Sequence, residues 1–461
     1  MTRMTRRQFQ QLLGSAVPAA MLPAAARAEP APLLHAQQGS AQLAPNDYPA
    51  TEIWGYNGAV PGPLLRVRQG ERLTRRFLNG LPQPSTVHWH GIRIENGMDG
   101  VAGLTQETVA PGSEFLYDFV LPDAGTYWYH PHDRTYEQMA RGLYGALIVD
   151  EAAGAPETDL DDVLLIDDWR LTGDAQIAGG FGNMHDWSHA GRIGNWITVN
   201  GDGSWSRSVR RHARLRLRLV NTANARIFTL ETRGFDGWIV AFDGMPLAAP
   251  QPLRQLTLAP AQRADLIVDV MAEEGGEALL ISLERDGGYA IAAFPVTDTT
   301  RPARLAAPAP LPPNPVPALG KFGGAIKATL KMEGGAMGGM PGAMLGGQQL
   351  SARDLAAAGK VWAFNGQTEM GEPLLEARRG ETVRIAMAND TAWPHAMHLH
   401  GHHFQQINND GSFGPLRDTL LLNRGETAQI AFVADNPGDW LLHCHMLEHA
   451  AGGMMTWLRV V

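Results

Sequence analysis

The sequence predicts an all-β chain of three consecutive β-sandwich domains, on three observations. Short alternating runs rich in β-branched residues are separated by Pro, Gly and Asn, while helical periodicity is scarce. One pattern occurs three times: an aromatic strand end closed by Asn-Gly, followed by an alternating strand closed by Asn. The length of 461 residues corresponds to about three domains of roughly 150 residues each.

In chain order, Thr5-Arg6-Arg7-Gln8-Phe9 resembles a twin-arginine export signal, with a modest apolar run and a small-x-small cleavage site at Ala26-Arg27-Ala28. Residues 1–28 are therefore expected to be a signal peptide and the protein periplasmic or secreted. Cleavage removes Arg3, Arg6, Arg7 and Arg27 and no acid from a chain whose net charge is already −9. Neither nucleic acid nor an anionic membrane is an expected partner. No other stretch has the roughly 18 apolar residues of a membrane span, so a soluble monomer is expected.

The first sandwich is read over residues 45–152. Trp54-Gly-Tyr-Asn57-Gly58 leads through a Pro/Gly turn to Leu64-Leu65-Arg66-Val67-Arg68 and Phe77-Leu78-Asn79. The second, 157–298, opens at Val163-Leu-Leu-Ile and repeats the pattern as Trp196-Ile-Thr-Val-Asn200-Gly201 and Leu215-Arg-Leu-Arg-Leu-Val220-Asn221. Residues 299–355 read as a Pro-rich, then Gly/Met-rich linker. The third sandwich, 356–461, carries Trp362-Ala-Phe-Asn365-Gly366 and Ala386-Met387-Ala388-Asn389.

Nine residues past Asn79 stands His88-Trp-His90, and nine past Asn389 stands His398-Leu-His400. Eighteen past Gly112 stands His130-Pro-His132, and eighteen past Gly425 stands His443-Cys444-His445. The middle repeat has no histidine at these places. Each His-x-His pair puts two imidazoles on one strand face, so four pairs offer sites for adjacent metals. They serve that purpose only if the first and third sandwiches pack together, with the middle one as a spacer. Cys444 is the only cysteine, which excludes an internal disulfide in an exported chain. With His449 and Met454 following on the same loop and an imidazole from elsewhere, it makes a His2Cys site with an axial thioether, a donor set suited to electron-transfer copper. Strand alternation turns His443 and His445 away from the Cys444 side.

From about Trp54 to Val461 these motifs resemble the three-domain multicopper oxidases, nearest the exported bacterial laccases and cuprous oxidases. The resemblance implies cupredoxin-like Greek-key sandwiches and four copper ions: one type 1, one type 2 and two type 3. It implies His395, Cys444 and His449 as type 1 ligands with Met454 axial, and His88 and His398 at type 2. His90, His130, His132, His400, His443 and His445 then resemble the type 3 ligands. The implied reaction takes single electrons from phenols, aromatic amines or Cu(I) at the type 1 copper. It passes them through Cys444 and its neighbours, and reduces dioxygen to water. Asp99, eleven residues past His88, matches the family's proton-handling acid. Ala450 departs from the pattern, since relatives often carry an acid there. Glu448 precedes His449, but strand alternation would aim it elsewhere, so proton delivery is expected to rest on Asp99.

Two further clusters offer soft donors. Met332, Met337, Met340 and Met344 lie in Gly-rich chain and suit Cu(I). Against that use, Thr391 and Trp393 stand where Cu(I)-oxidising relatives tend to have an acid and a methionine. Met184, His185 and His189 could hold an extra copper, although a polar surface loop reads more simply. Two other classes share the fold: a copper-sequestering resistance protein without oxidase activity, and a copper-free scaffold that has lost the histidines.

Overall fold

The computed structural model describes residues 31–320 and 322–461; the export motif and its cleavage site lie outside the described residues. Three β-sandwiches follow one another. In the first, a sheet of Thr51–Tyr56, Leu33–Ala41, Arg72–Asn79 and Glu114–Val120 faces one of Leu65–Arg68, Gly145–Asp150, Gly125–His130 and His88–His90. The second packs a six-stranded sheet on a five-stranded one, and the third does the same with a small hairpin added. Most pairs are antiparallel, but each sandwich has its first strand parallel to the strand that ends in the repeated asparagine. Leu34 lies opposite Phe77, Leu164 opposite Leu219, and Leu330 opposite Met387.

The repeated residues are repeated for backbone reasons. Asn57, Asn200 and Asn365 have φ of 56, 53 and 50°, and the glycines after them 74, 76 and 72°. Asn and Gly are the residues that tolerate this left-handed turn geometry. Each Asn Oδ1 also accepts a backbone N–H from the sandwich's first strand: His35 at 2.8 Å, Leu165 at 3.0 Å and Lys331 at 2.8 Å. Asn79, Asn221 and Asn389 instead brace the following turn. Their Oδ1 atoms accept from Leu81, Ala223 and Thr391, each at 3.0 Å.

Two boundaries differ from the sequence reading. The first sandwich begins at Leu33 rather than 45. The third begins with Ile326–Gly334, inside the 299–355 segment read as linker, rather than at 356. Composition hid this strand among glycines and methionines; its parallel pairing to Thr382–Asn389 defines it. Met332 is consequently buried in the apolar core with Leu330 and cannot join Met337, Met340 and Met344 as a surface thioether.

The first and third sandwiches share one continuous apolar core, running from Leu34 and Phe77 to Met387 and Val460. The middle sandwich has its own, built on Leu215, Leu217 and Leu219. The alternate face of that Leu-Arg-Leu-Arg-Leu strand is buried too. Arg216 pairs with Glu151 of the first sandwich at 2.8 Å and with Asp265 at 2.6 Å, while Arg218 pairs with Asp161 at 2.7 Å. Both arginines lie at the seam with the first sandwich, Arg216 through Glu151 and Arg218 through a bond donated to Thr126 Oγ1 at 3.1 Å.

Because Met332 is a core side chain, Met332→Leu should cost less than about 1.5 kcal/mol and Met332→Ala about 2–5 kcal/mol. Guanidinium unfolding midpoints check both, and neither change should alter copper content.

Candidate metal centres

Strand pairing brings the histidine motifs together. His88–His90 pairs antiparallel with Gly125–His130, so His88 faces His130. In the third sandwich His395–Leu399 pairs with Gly438–Cys444, which sets His398 opposite His443 and Met397 opposite Cys444. Across the seam between the two sandwiches the rings interleave. His88 stacks on His400 at 4.0 Å between centroids, and His90 on His398 at 3.8 Å.

The eight imidazoles lie so close that several groupings share an ion-sized space, His88 with His90 and His130 among them; one grouping is two triads and a pair. His132, His400 and His443 lie 5.1–5.3 Å apart. His90, His130 and His445 lie 5.0–5.7 Å apart. His88 and His398 remain, at 5.9 Å. Both triads draw on the first and third sandwiches. One contains the residue before Cys444 and the other the residue after it, as alternation about that strand predicts.

Backbone carbonyls set several rings. Nδ1–H of His88 donates to Asp99 O at 2.7 Å, that of His398 to Asp418 O at 3.0 Å, and that of His443 to Cys444 O at 2.9 Å. Each such bond leaves Nε2 with the free lone pair. The Nε2 atoms of His88, His90 and His398, and Nδ1 of His445, are buried without a partner among the described residues. A buried polar atom left unmatched costs about 1–3 kcal/mol, so four in one cluster fit metal binding. Burial, and after it the neighbouring imidazoles, pushes His90, His130, His400, His443 and His445 well below the usual histidine pKa and His132 to about 3. The rings are neutral, as ligands must be.

Two carboxylates serve the cluster. Asp99, fully buried, accepts the His400 Nδ1–H at 2.9 Å through Oδ2, and its Oδ1 lies 3.3 Å from His88 Nδ1. Asp418 mirrors it on the other side, with Oδ1 3.5 Å from both His90 Nε2 and His398 Nδ1. Asp418 was missed from sequence because no spacing ties it to a histidine motif; it is delivered by the strand Thr419–Leu422, which pairs with His395–Leu399. Burial alone would raise its pKa, but the Arg263 guanidinium and the two imidazoles outweigh that and hold it well below the carboxylate range. Arg263 belongs to the middle sandwich and grips Asp418 with both nitrogens, at 2.8 and 2.6 Å. His403 also lies within this environment, 3.7 Å from Asp418.

The second centre lies on the opposite face of Gly438–Cys444. Cys444 Sγ is 3.5 Å from His395 Nδ1 and 3.8 Å from His449 Nδ1, and the two Nδ1 atoms are 3.1 Å apart. Each ring is held from behind: His395 Nε2 by Thr391 Oγ1 at 2.9 Å, His449 Nε2 by the His189 carbonyl at 2.7 Å. Thr391 thus orients a ring where an acid was looked for. Burial pushes the Cys444 thiol up to about 12 and brings His449 down to about 4, so a thiolate persists here only beside a cation. Met454 is buried, and its carbonyl accepts the Cys444 N–H at 3.1 Å.

Leu447–Ala451 is a short helix rather than a strand, which corrects the alternation argument for Glu448. Its carboxyl is buried against the middle sandwich, accepts from Asn224 at 3.0 Å, and is raised by burial to about 7. Ala450 lines a cavity of ≈ 250 Å³ that reaches His130, His132 and His443. Met337 is exposed, and Met340 and Met344 are half-buried.

Two segments, residues 37–154 and 348–461, match family models described as multicopper oxidase. Among solved structures, Lac15 from a marine microbial metagenome is 42% identical, with 94% of this chain and 100% of that chain covered and a TM-score of 0.75. A multi-copper oxidase from Pseudomonas thermotolerans is 31% identical, with 93% and 98% covered and a TM-score of 0.80. The multicopper oxidase MmcO of Mycobacterium tuberculosis is 28% identical over 456 residues, covering 90% of this chain and 84% of that protein.

Arg263→Met should strand the buried Asp418 carboxylate and destabilise the protein by about 3–5 kcal/mol, read as a lowered denaturation midpoint. The double variant with Asp418→Asn should recover part of the loss.

Proposed function

The chain belongs to the multicopper oxidase family, and from that premise we propose how its two centres divide the work of an oxygen-dependent oxidoreductase. His395, Cys444 and His449, with Met454 as a further donor, would hold a type 1 copper. His88 and His398 would hold the type 2 copper, and the triads His90/His130/His445 and His132/His400/His443 would each hold one of a type 3 pair. Bound copper supplies the redox chemistry: single electrons are accepted from phenols, aromatic amines or Cu(I) at the first centre, and dioxygen is reduced to water with four electrons and four protons at the second. The observation that carries this reading is covalent. Cys444 belongs to one centre, and its two chain neighbours reach one triad each.

The remaining roles belong to the chain. His443 and His445 join the thiolate to both triads through two short stretches of backbone, so no gap interrupts the route. Asp99 fixes the His400 ring and holds a proton-exchanging carboxylate against the cluster, at Oδ1, which has no hydrogen-bond partner. Asp418, clamped by Arg263, supplies fixed negative charge beside His90 and His398. Trp362 packs on His449 at 4.4 Å and His395 at 5.1 Å between centroids and keeps water from the thiolate centre. The cavity at Ala450 gives small molecules access to the triads. Export through the twin-arginine route places the enzyme in the periplasm. Among the described residues no helix is long and apolar enough to cross a membrane.

Cys444→Ser should abolish the blue absorption and the oxidation of every donor while about three of four coppers stay bound, measured by metal analysis beside the visible spectrum. Asp99→Asn should retain all the copper and lower oxygen turnover by about a hundredfold or more; unchanged turnover at full copper loading would remove the proton role. Fully loaded, blue protein that takes up no oxygen with a phenol or with Cu(I) would instead identify a copper-sequestering protein.

A further inference from the structure

One lysine is fastened to the loop that carries His449. The short helix Leu447–Ala451 lies within that loop, between Cys444 and Met454. The last carbonyls of a helix have no partner inside it and need donors from elsewhere. Gly359, Lys360 and Val361, which lead into the strand Trp362–Phe364, run along that helix end and supply them. Lys360 Nζ donates to the Ala451 carbonyl at 2.9 Å. The Gly452 carbonyl accepts the Val361 N–H at 2.9 Å and the Trp362 N–H at 3.1 Å, and the Trp362 ring packs on His449. Gly359, with φ of 71°, admits the Trp187 ring so closely that an added Cβ would meet it at 2.5 Å. The segment is thus held on both sides.

Lys360 is half-buried, and among the described residues it makes no ion pair. Burial pulls its pKa down, and the Glu369 carboxylate pushes it back up. A lysine that served only solubility would keep its hydration and its rotamer freedom; this one has lost part of both. The groups that touch the thiolate centre bring no opposing charge. His395 Nε2 is held by the Thr391 hydroxyl and His449 Nε2 by the His189 carbonyl, both neutral. Cys444 Sγ accepts the Met446 N–H at 3.4 Å. The Glu448 carboxyl faces Asn224 of the second sandwich. A charge fixed in partly buried surroundings is screened less than one in water. An electron arriving at the centre lowers its charge by one, so a nearby cation favours the reduced state over the oxidised one.

We propose that Lys360 is a positioning residue for the thiolate centre whose ammonium, pinned at the end of the His449 helix, raises the potential at which that centre accepts an electron. This rests on the oxidase reading and deepens it: a higher potential extends the range of donors toward those harder to oxidise. A clamp without charge would hold the helix end equally well and leave the potential where it was.

Redox titration of the blue absorption on the copper-loaded enzyme tests this. Lys360→Met removes charge and clamp, Lys360→Gln removes the charge but keeps a donor for the Ala451 carbonyl, and Lys360→Arg keeps both. The midpoint should fall in the Met and Gln variants, shifting the one-electron equilibrium by about threefold to tenfold, and Lys360→Arg should restore the native value. The wavelength of the blue band should hold in the Gln and Arg variants. Should Lys360→Met fail to retain copper, the Gln variant carries the comparison. An equal midpoint in native and Lys360→Gln enzyme overturns the proposal, and so does an equal fall in the Gln and Arg variants, which would identify a clamp alone. Native enzyme that takes up copper without blue absorption would overturn the oxidase reading and this inference with it, whereas a blue enzyme with an unmoved midpoint removes only the role of Lys360.

Discussion

The hydrogen bond from His400 to Asp99 joins the third sandwich to the first inside a cluster of eight imidazoles, seven of them buried and His132 partly so, and the rest of the architecture serves the seam it crosses. So many polar rings out of water are tolerated only when each is neutral and each nitrogen has an assigned partner. Burial supplies the neutrality of His400, His443 and His445 by lowering their pKa values. Carbonyls of Asp99, Asp418 and Cys444 supply partners on one side of three rings, and the nitrogens left over converge. The apolar core that runs unbroken through both sandwiches keeps this polar pocket closed.

The middle sandwich has no histidine in the cluster, yet it acts as more than a spacer. Arg263 reaches from it to neutralise Asp418, and Gln262 donates to the Thr419 carbonyl at 2.9 Å on the adjoining strand. Its Asn224 takes the Glu448 carboxyl, and its His189 carbonyl takes the His449 ring. Its two turn asparagines, Asn200 and Asn221, follow the pattern of the outer repeats without their histidines. A domain that lost or never had ligands has kept the backbone frame and turned Arg216 and Arg263 into ties to the first and third sandwiches.

Much of the site was legible before any coordinates. His-x-His spacing is a local signal, because alternation in a strand places both rings on one face within three residues. The same rule sends Cys444 and its two neighbours to opposite sides, and the structure has them so. Where the rule was applied to Glu448 it misled, since the chain turns helical two residues past His445. Composition misled at Ile326–Gly334, where Gly and Met obscured a strand that exists through its pairing with Thr382–Asn389. Asp418 carried no signal at all, because its neighbours in space are 155 residues away at Arg263 and twenty at His398.

Sequence alone determined which side chains offer donor atoms and which faces they share: the four histidine pairs, the single thiol, and the Asn-Gly turns whose left-handed backbone few other residues accept. These are matters of two to eighteen neighbouring residues, and short-range sterics dictate them. Tertiary structure decided which carboxylates stand behind the rings, that Met332 lies in the core, and that a helix of the middle sandwich covers His449. Those depend on how separately folded sheets pack their buried faces, and the energy of that packing is spread over contacts that no local pattern contains.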